Sequence, residues 1–151
     1  MSKANQLKDY FLSHRHVTNE LIGKIEQKDY DFKPTPSSMS TKELVLHMVT
    51  SFYQFASAAA KQAPKSLHDE ASNPELHELA QLYTDETVQL IESLTDEDLK
   101  ELIDLTAIMG IELPAENLLN IAIDHEINHK GNLFVYVRLM GHTDLPMFVK
   151  K

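Results

Sequence analysis

The sequence predicts an all-α fold, a single-domain four-helix bundle over residues 1–151. Three observations carry this. Four long segments place apolar residues three and four positions apart rather than alternately. The four glycines and six prolines fall at the breaks between those segments. A chain of 151 residues is also the usual size for one domain with one buried core.

The first helix is expected from about Ser2 to Gln27, with a seam of Leu7, Phe11, Val17, Leu21 and Ile25. The stretch from Asp29 to Ser38 reads as a loop, since Pro34 and Pro36 cannot continue a helix. Ser40-Thr41-Lys42-Glu43 is a capping box in which two side chains satisfy two orphan backbone donors. It opens a second helix reaching about Lys61, ahead of Pro64, and a polar connection from Lys65 to Ser72 follows. Asn73 and Pro74 read as N-cap and first position of a third helix ending near Leu94. Thr95 to Asp98 suits a fresh cap for one or two short turns, and Asp104 to Leu113 reads as irregular, with Gly110 at its turn. Pro114 starts the fourth long helix, which reaches Met140 and stops at Gly141. The tail from His142 to Lys151 carries Met147-Phe148-Val149, expected to pack back on the bundle.

Composition narrows the function. Fourteen Lys and Arg stand against 23 Asp and Glu, a formal charge of -9 with no basic stripe. Such a chain is poorly suited to phosphate backbones or anionic membranes, which require clustered cations. No cysteine is present, which removes disulfides, thiolate catalysis and Cys-zinc sites. No apolar run approaches the ~20 residues of a membrane span. A cytoplasmic protein with a small-molecule substrate, and neither nucleic acid nor membrane as partner, is the expectation.

The chemistry lies in the histidines. His125 and His129 are four residues apart in the fourth helix, one turn apart on one face, where both can reach one metal ion. The second helix places His47 on its own stripe with Leu44, Ser51, Phe55 and Ala58. Three inward imidazoles are costly unless something satisfies their nitrogens. Three neutral nitrogens around a divalent ion leave a position for water or substrate, as in catalytic rather than closed structural sites. Zinc and nickel suit these donors best, with iron and copper also compatible. His14 on the first helix is expected to be packed, though close enough in the seam to support the site. His16, His68, His77 and His142 read as surface residues, and Glu86 as a group that can orient a ligand ring.

His125-Glu126-Ile127-Asn128-His129 also satisfies the bare HExxH pattern of zinc peptidases. The extended form needs Gly at 132 and His at 135, where the chain has Asn132 and Val135, and no glutamate follows His129. The peptidase reading is therefore set aside, with Glu126 expected to point away from the seam. No serine or lysine is evidently paired with a base as a nucleophile.

The chain resembles the DinB family (DinB/YfiT-like metalloenzymes) over nearly its whole length. The likeness rests on Phe32-Lys33-Pro34, on Ser40 to His47, and on His125-Glu126-Ile127-Asn128-His129-Lys130-Gly131-Asn132-Leu133 with Tyr136 to Gly141 and Pro146. Lys130 and Asn132 stand where the family commonly has Arg and Gln. The resemblance implies a four-helix bundle, a divalent metal on His47, His125 and His129, and a homodimer. It also implies a metal-dependent enzyme, a transferase using a low-molecular-weight thiol such as bacillithiol or mycothiol, or a hydrolase. The alternative is a non-catalytic, metal-stabilised bundle acting in dimerisation or stress-related partner binding. Arg138, opposite His129 on its helix, reads as a surface or packing residue.

Overall fold

The computed structural model describes residues 2–151. Four long helices carry the fold: α1 (Lys3–Ile22), α2 (Thr41–Ala59), α3 (Leu76–Glu92) and, after a short helix α4 (Asp96–Lys100), the last one, Ala115–Leu139. Between α4 and the last helix come strand β1 (Leu102–Leu105), a single turn α5 (Thr106–Met109) and strand β2 (Ile111–Pro114), so the last helix is α6. Helices α1 and α2 each pack against both α3 and α6, and the four enclose one interior.

The fold is mostly helical rather than all-α. Residues 102–114 form an antiparallel hairpin with Leu102 opposite Pro114 and Leu105 opposite Ile111. Ile103, Leu105 and Leu113 turn inward and join the core, while Leu102 and Ile111 face out. Gly110 closes the turn at φ 74°, a conformation costly for residues with a Cβ. The Asp104 carboxylate accepts from both the backbone N–H and the hydroxyl of Thr106, at 3.0 and 2.6 Å, which pins the entry to that turn.

Other boundaries also move. Helix α1 stops at Ile22, ahead of Gly23, rather than at Gln27, and Gln27–Asp29 forms a separate 3-10 turn. Asn73 is not the cap of α3: at φ 47° it closes a 3-10 turn over Glu70–Ser72, and α3 begins at Leu76. The end of α6 follows the sequence, with Met140 as its last cap and Gly141 at φ 103°. The C-terminal tail docks through Leu145 on the core, the Lys150 side chain on Glu20 and its main chain, rather than through Met147 and Phe148. Lys150 N–H donates to the Ser13 carbonyl at 2.8 Å, while Met147 and Phe148 remain 71% and 64% exposed.

The capping box forms as the sequence predicts. Glu43 N–H donates to Ser40 Oγ at 3.1 Å, and Ser40 N–H to Glu43 Oε1 at 3.0 Å. This fixes where α2 starts and therefore which face His47 occupies. Ser40→Ala is expected to cost about 1 kcal/mol of stability, read as a lower urea midpoint with an unchanged slope.

Phe11 of α1 lies on Phe52 of α2, ring centroids 4.2 Å apart, at the centre of one half of the core. Leu21, Val45, Met48, Leu79, Leu133 and Val137 fill much of the other half. None of the helices is long and apolar enough to cross a membrane among the described residues.

Candidate metal centre

The structure brings His47, His125 and His129 together, each offering one ring nitrogen within 4.8 Å of the others. His47 Nε2 lies 3.0 Å from His125 Nε2, and His129 Nε2 lies 3.1 Å from the same atom. The rings meet edge to face, with centroids 4.4 to 4.9 Å apart. Two ligand bonds of about 2.1 Å meeting at 90–109° would set their nitrogens about 3.0–3.4 Å apart. The observed spacing falls in that range.

Hydrogen bonding alone accounts poorly for this arrangement. A neutral imidazole nitrogen carries either one N–H or one lone pair. His125 Nε2 therefore serves one of its two close neighbours well and leaves the other facing a like group. A cation accepting all three lone pairs removes the conflict, so the residues present fit a metal.

The surroundings favour the required protonation state. Burial, then the neighbouring His47 ring, pushes His125 below the usual histidine range. Burial, then His125 and His47, does the same to His129. Ser51 Oγ lies 3.3 Å from His47 Nδ1, where it can accept that N–H and leave the Nε2 lone pair aimed at the centre. The Asn132 amide nitrogen lies 3.4 Å from His129 Nδ1; only with the amide group turned over does its oxygen accept that N–H and serve the same end. The Phe55 ring stands edge-on to His125, centroids 6.3 Å apart. Ser51, at His47, stands where the sequence suggested Glu86 as the orienting group. Glu86 instead lines a separate hollow with Gln62, Lys65 and Gln89.

All three histidines are half-buried, at the margin of the interior rather than on its axis. The axis belongs to residues that the sequence reading missed or turned the wrong way. Glu126 does not point outward: it is 1% exposed and receives a bidentate pair from the fully buried Arg15. Arg15 Nε donates to Oε2 at 2.9 Å and a terminal nitrogen to Oε1 at 2.8 Å. Thr18 Oγ1 donates to Oε2 at 2.7 Å. Thr84 Oγ1 accepts from Arg15 at 3.1 Å and donates to the Ala80 carbonyl at 2.6 Å. Burial alone would push the Glu126 carboxyl up, but the Arg15 guanidinium, its hydrogen bonds and Thr18 outweigh it and hold the pKa below the ordinary range. Glu126 is therefore a buried carboxylate committed to an arginine, not a peptidase's general base.

One turn further on, Lys130 is also buried; its Nζ contacts His14 Nδ1 at 2.7 Å and donates to the Phe148 carbonyl. His14 is thus packed, 6% exposed, and takes no place beside the triad. His16 and His77 are exposed as expected, whereas His68 is half-buried and bonded through Nδ1 to the Tyr83 hydroxyl at 2.8 Å. Arg138 is exposed, with its guanidinium over the Phe134 ring at 5.5 Å.

A second signal in the sequence identifies the axis. Ala115, Leu119, Ala122, Glu126, Lys130 and Val137 follow steps of three, four and seven on α6, and Phe11, Arg15, Thr18 and Ile22 follow steps of three and four on α1. Opposite charges interrupting two apolar stripes mark a buried pair.

The chain is similar to known proteins over its whole length. It is 46% identical over 153 residues to the uncharacterized protein YjoA of Bacillus subtilis, covering 100% of this chain and 99% of that one. The crystal structure of that DinB-like protein superposes with a TM-score of 0.87, covering 97% of this chain and 100% of the other. A DinB-like protein from Bacillus cereus, 18% identical, shares the fold with a TM-score of 0.77 over 95% of each chain. The family model described as the DinB family matches residues 1–150. With the fold, the match and the sequence motifs in agreement, the chain belongs to the DinB family.

Proposed function

We propose that this domain, a four-helix bundle carrying a small hairpin, is a metal-dependent enzyme whose divalent cation is held by His47, His125 and His129. The observation that carries the reading is the convergence of three ring nitrogens from two helices on one point, with His125 Nε2 in contact with both others. Zinc or nickel fits the donor set best, and iron or copper uses the same nitrogens. A bound ion of this kind supplies Lewis-acid chemistry, lowering the pKa of a coordinated water or thiol. The chain's own residues favour the neutral form of His125 and His129 and orient the rings. Ser51 can accept from the outer nitrogen of His47, Asn132 stands beside that of His129, and Phe55 lies edge-on to His125.

The serine that contacts the triad, Ser51, is turned to the outer Nδ1 of His47 rather than to the shared centre, and the chain has no cysteine, which supports a reaction in which a small cosubstrate does the attacking. A transferase using a low-molecular-weight thiol is the preferred form, with hydrolysis as the variant in which water attacks. The family resemblance supports a homodimer.

Native purification followed by metal analysis tests the reading. The wild-type protein is expected to carry close to one equivalent of a transition metal, and the His125→Ala, His129→Ala double variant almost none. Equal, near-zero metal in both would overturn it. Chelation separates catalytic from purely structural use: removing an exchangeable catalytic ion lowers the melting temperature modestly, whereas unfolding on chelation indicates a structural metal.

A further inference from the structure

Beside the triad a cavity of about 370 Å³ opens between the 28–40 loop and helices α2 and α6. Its walls are Pro34, Met39, Leu44, Val135 and Tyr136, and it reaches the triad at His129. Among the described residues no lysine, arginine, aspartate or glutamate lines it, although the chain as a whole is rich in charge.

The few polar groups at its edge are already engaged. The Tyr136 hydroxyl donates to the Met39 carbonyl at 2.8 Å. Ser38 Oγ pairs with Thr35 Oγ1 at 2.7 Å, and the Asn132 amide is turned to His129. The wall thus offers a ligand apolar surface and no free partner for a charge, which favours an uncharged group against it. A dry cavity of about 150 Å³ already accepts a benzene ring, so this one has room for a ring with a short substituent.

We infer that this cavity is the subsite for the uncharged apolar body of a small substrate, an aryl or branched alkyl group, whose donor atom is presented to the triad. The inference rests on the metal-binding reading above and adds the substrate class. Phosphorylated or polyanionic groups find no counter-charge on this wall. A cosubstrate thiol bearing carboxylates keeps those groups outside it.

Cobalt(II)-loaded protein provides the test, titrated with two thiols while the thiolate-to-cobalt absorption is followed. Phenylmethanethiol carries an aryl body, and 2-sulfanylethanesulfonate carries a fixed anion of similar length. The aryl thiol is expected to bind about tenfold more tightly or better, as burial of a ring predicts. Val135→Trp places an indole in the cavity from a position that is 51% exposed, so folding is not at risk. That variant is expected to lose the aryl preference while retaining the cobalt spectrum and the binding of 2-sulfanylethanesulfonate. Equal affinities for the two thiols, or a preference that survives Val135→Trp, would overturn the inference.

A metal-free arm keeps the two readings apart. If cobalt does not enter the triad, the metal reading fails and the cavity is judged by adding toluene to metal-free protein in proton–nitrogen correlation spectra. Shifts centred on Leu44, Val135 and Tyr136 that Val135→Trp abolishes sustain the apolar subsite, and their absence rejects it.

Discussion

Arg15→Leu is expected to lower stability by about 3–5 kcal/mol, the cost of leaving one partner of a buried ion pair uncompensated. In a chain of this size that corresponds to a melting temperature lower by roughly 6–20 °C. The reason is geometric. Glu126 is enclosed by the four long helices, accepts two bonds from Arg15 and one from Thr18, and has no route to water. Replacing both partners tests the argument: Arg15→Met with Glu126→Leu removes both charges and is expected to recover most of the loss. A double variant as unstable as the single would show that the guanidinium stabilises through packing on Phe11 and Phe52, whose ring centres lie 4.8 and 5.6 Å away.

Acid gives an independent reading of the same pair. A carboxyl whose folded pKa is depressed contributes stability that is fully present above its unfolded value and lost as pH falls through the folded one. Wild-type stability should therefore decline on acidification below the ordinary glutamate range. The double variant, lacking this carboxyl, should show a smaller decline.

Zinc is expected to raise the melting temperature of the metal-free protein, and His47→Ala to abolish most of that rise. A ligand at 100 times its dissociation constant stabilises the folded state by about 2.7 kcal/mol, or roughly 5–11 °C here. His47 is the informative residue because it alone belongs to α2, whereas His125 and His129 share α6. Without it the ion ties no second helix to the bundle, and two imidazoles one turn apart remain. Losing a ligand should reduce affinity by more than the roughly 10–100-fold caused by losing an outer hydrogen-bond partner. An undiminished zinc effect in His47→Ala would remove that residue from the coordination sphere.

Much of this is legible in the amino-acid sequence. The four long helices followed from apolar spacing, and the capping box at Ser40 registered α2 well enough to put His47 on the correct side. The i,i+4 pair on α6 then required only a shared interior. The hairpin was hidden because each strand has only four residues, too few for alternation to stand out from helical spacing. Asn73-Pro74 misled because the same two residues that start a helix also close a turn in the left-handed region. Glu126 was misread by the ordinary expectation that a charged residue faces water, a rule that fails where a second charge sits at matching depth on another helix. Arg15 escaped notice for the same reason.

The segment from His125 to Lys130 faces two ways, its rings toward the candidate metal centre while Glu126 and Lys130 are anchored behind it. That anchoring is completed during folding, so the α6 backbone beneath two of the three donors has little freedom left to surrender when a cation arrives. Preorganisation of this sort lowers the entropic penalty of binding. It also separates duties along one helical turn: the imidazoles are open to redesign, while the inward charges keep the scaffold in place.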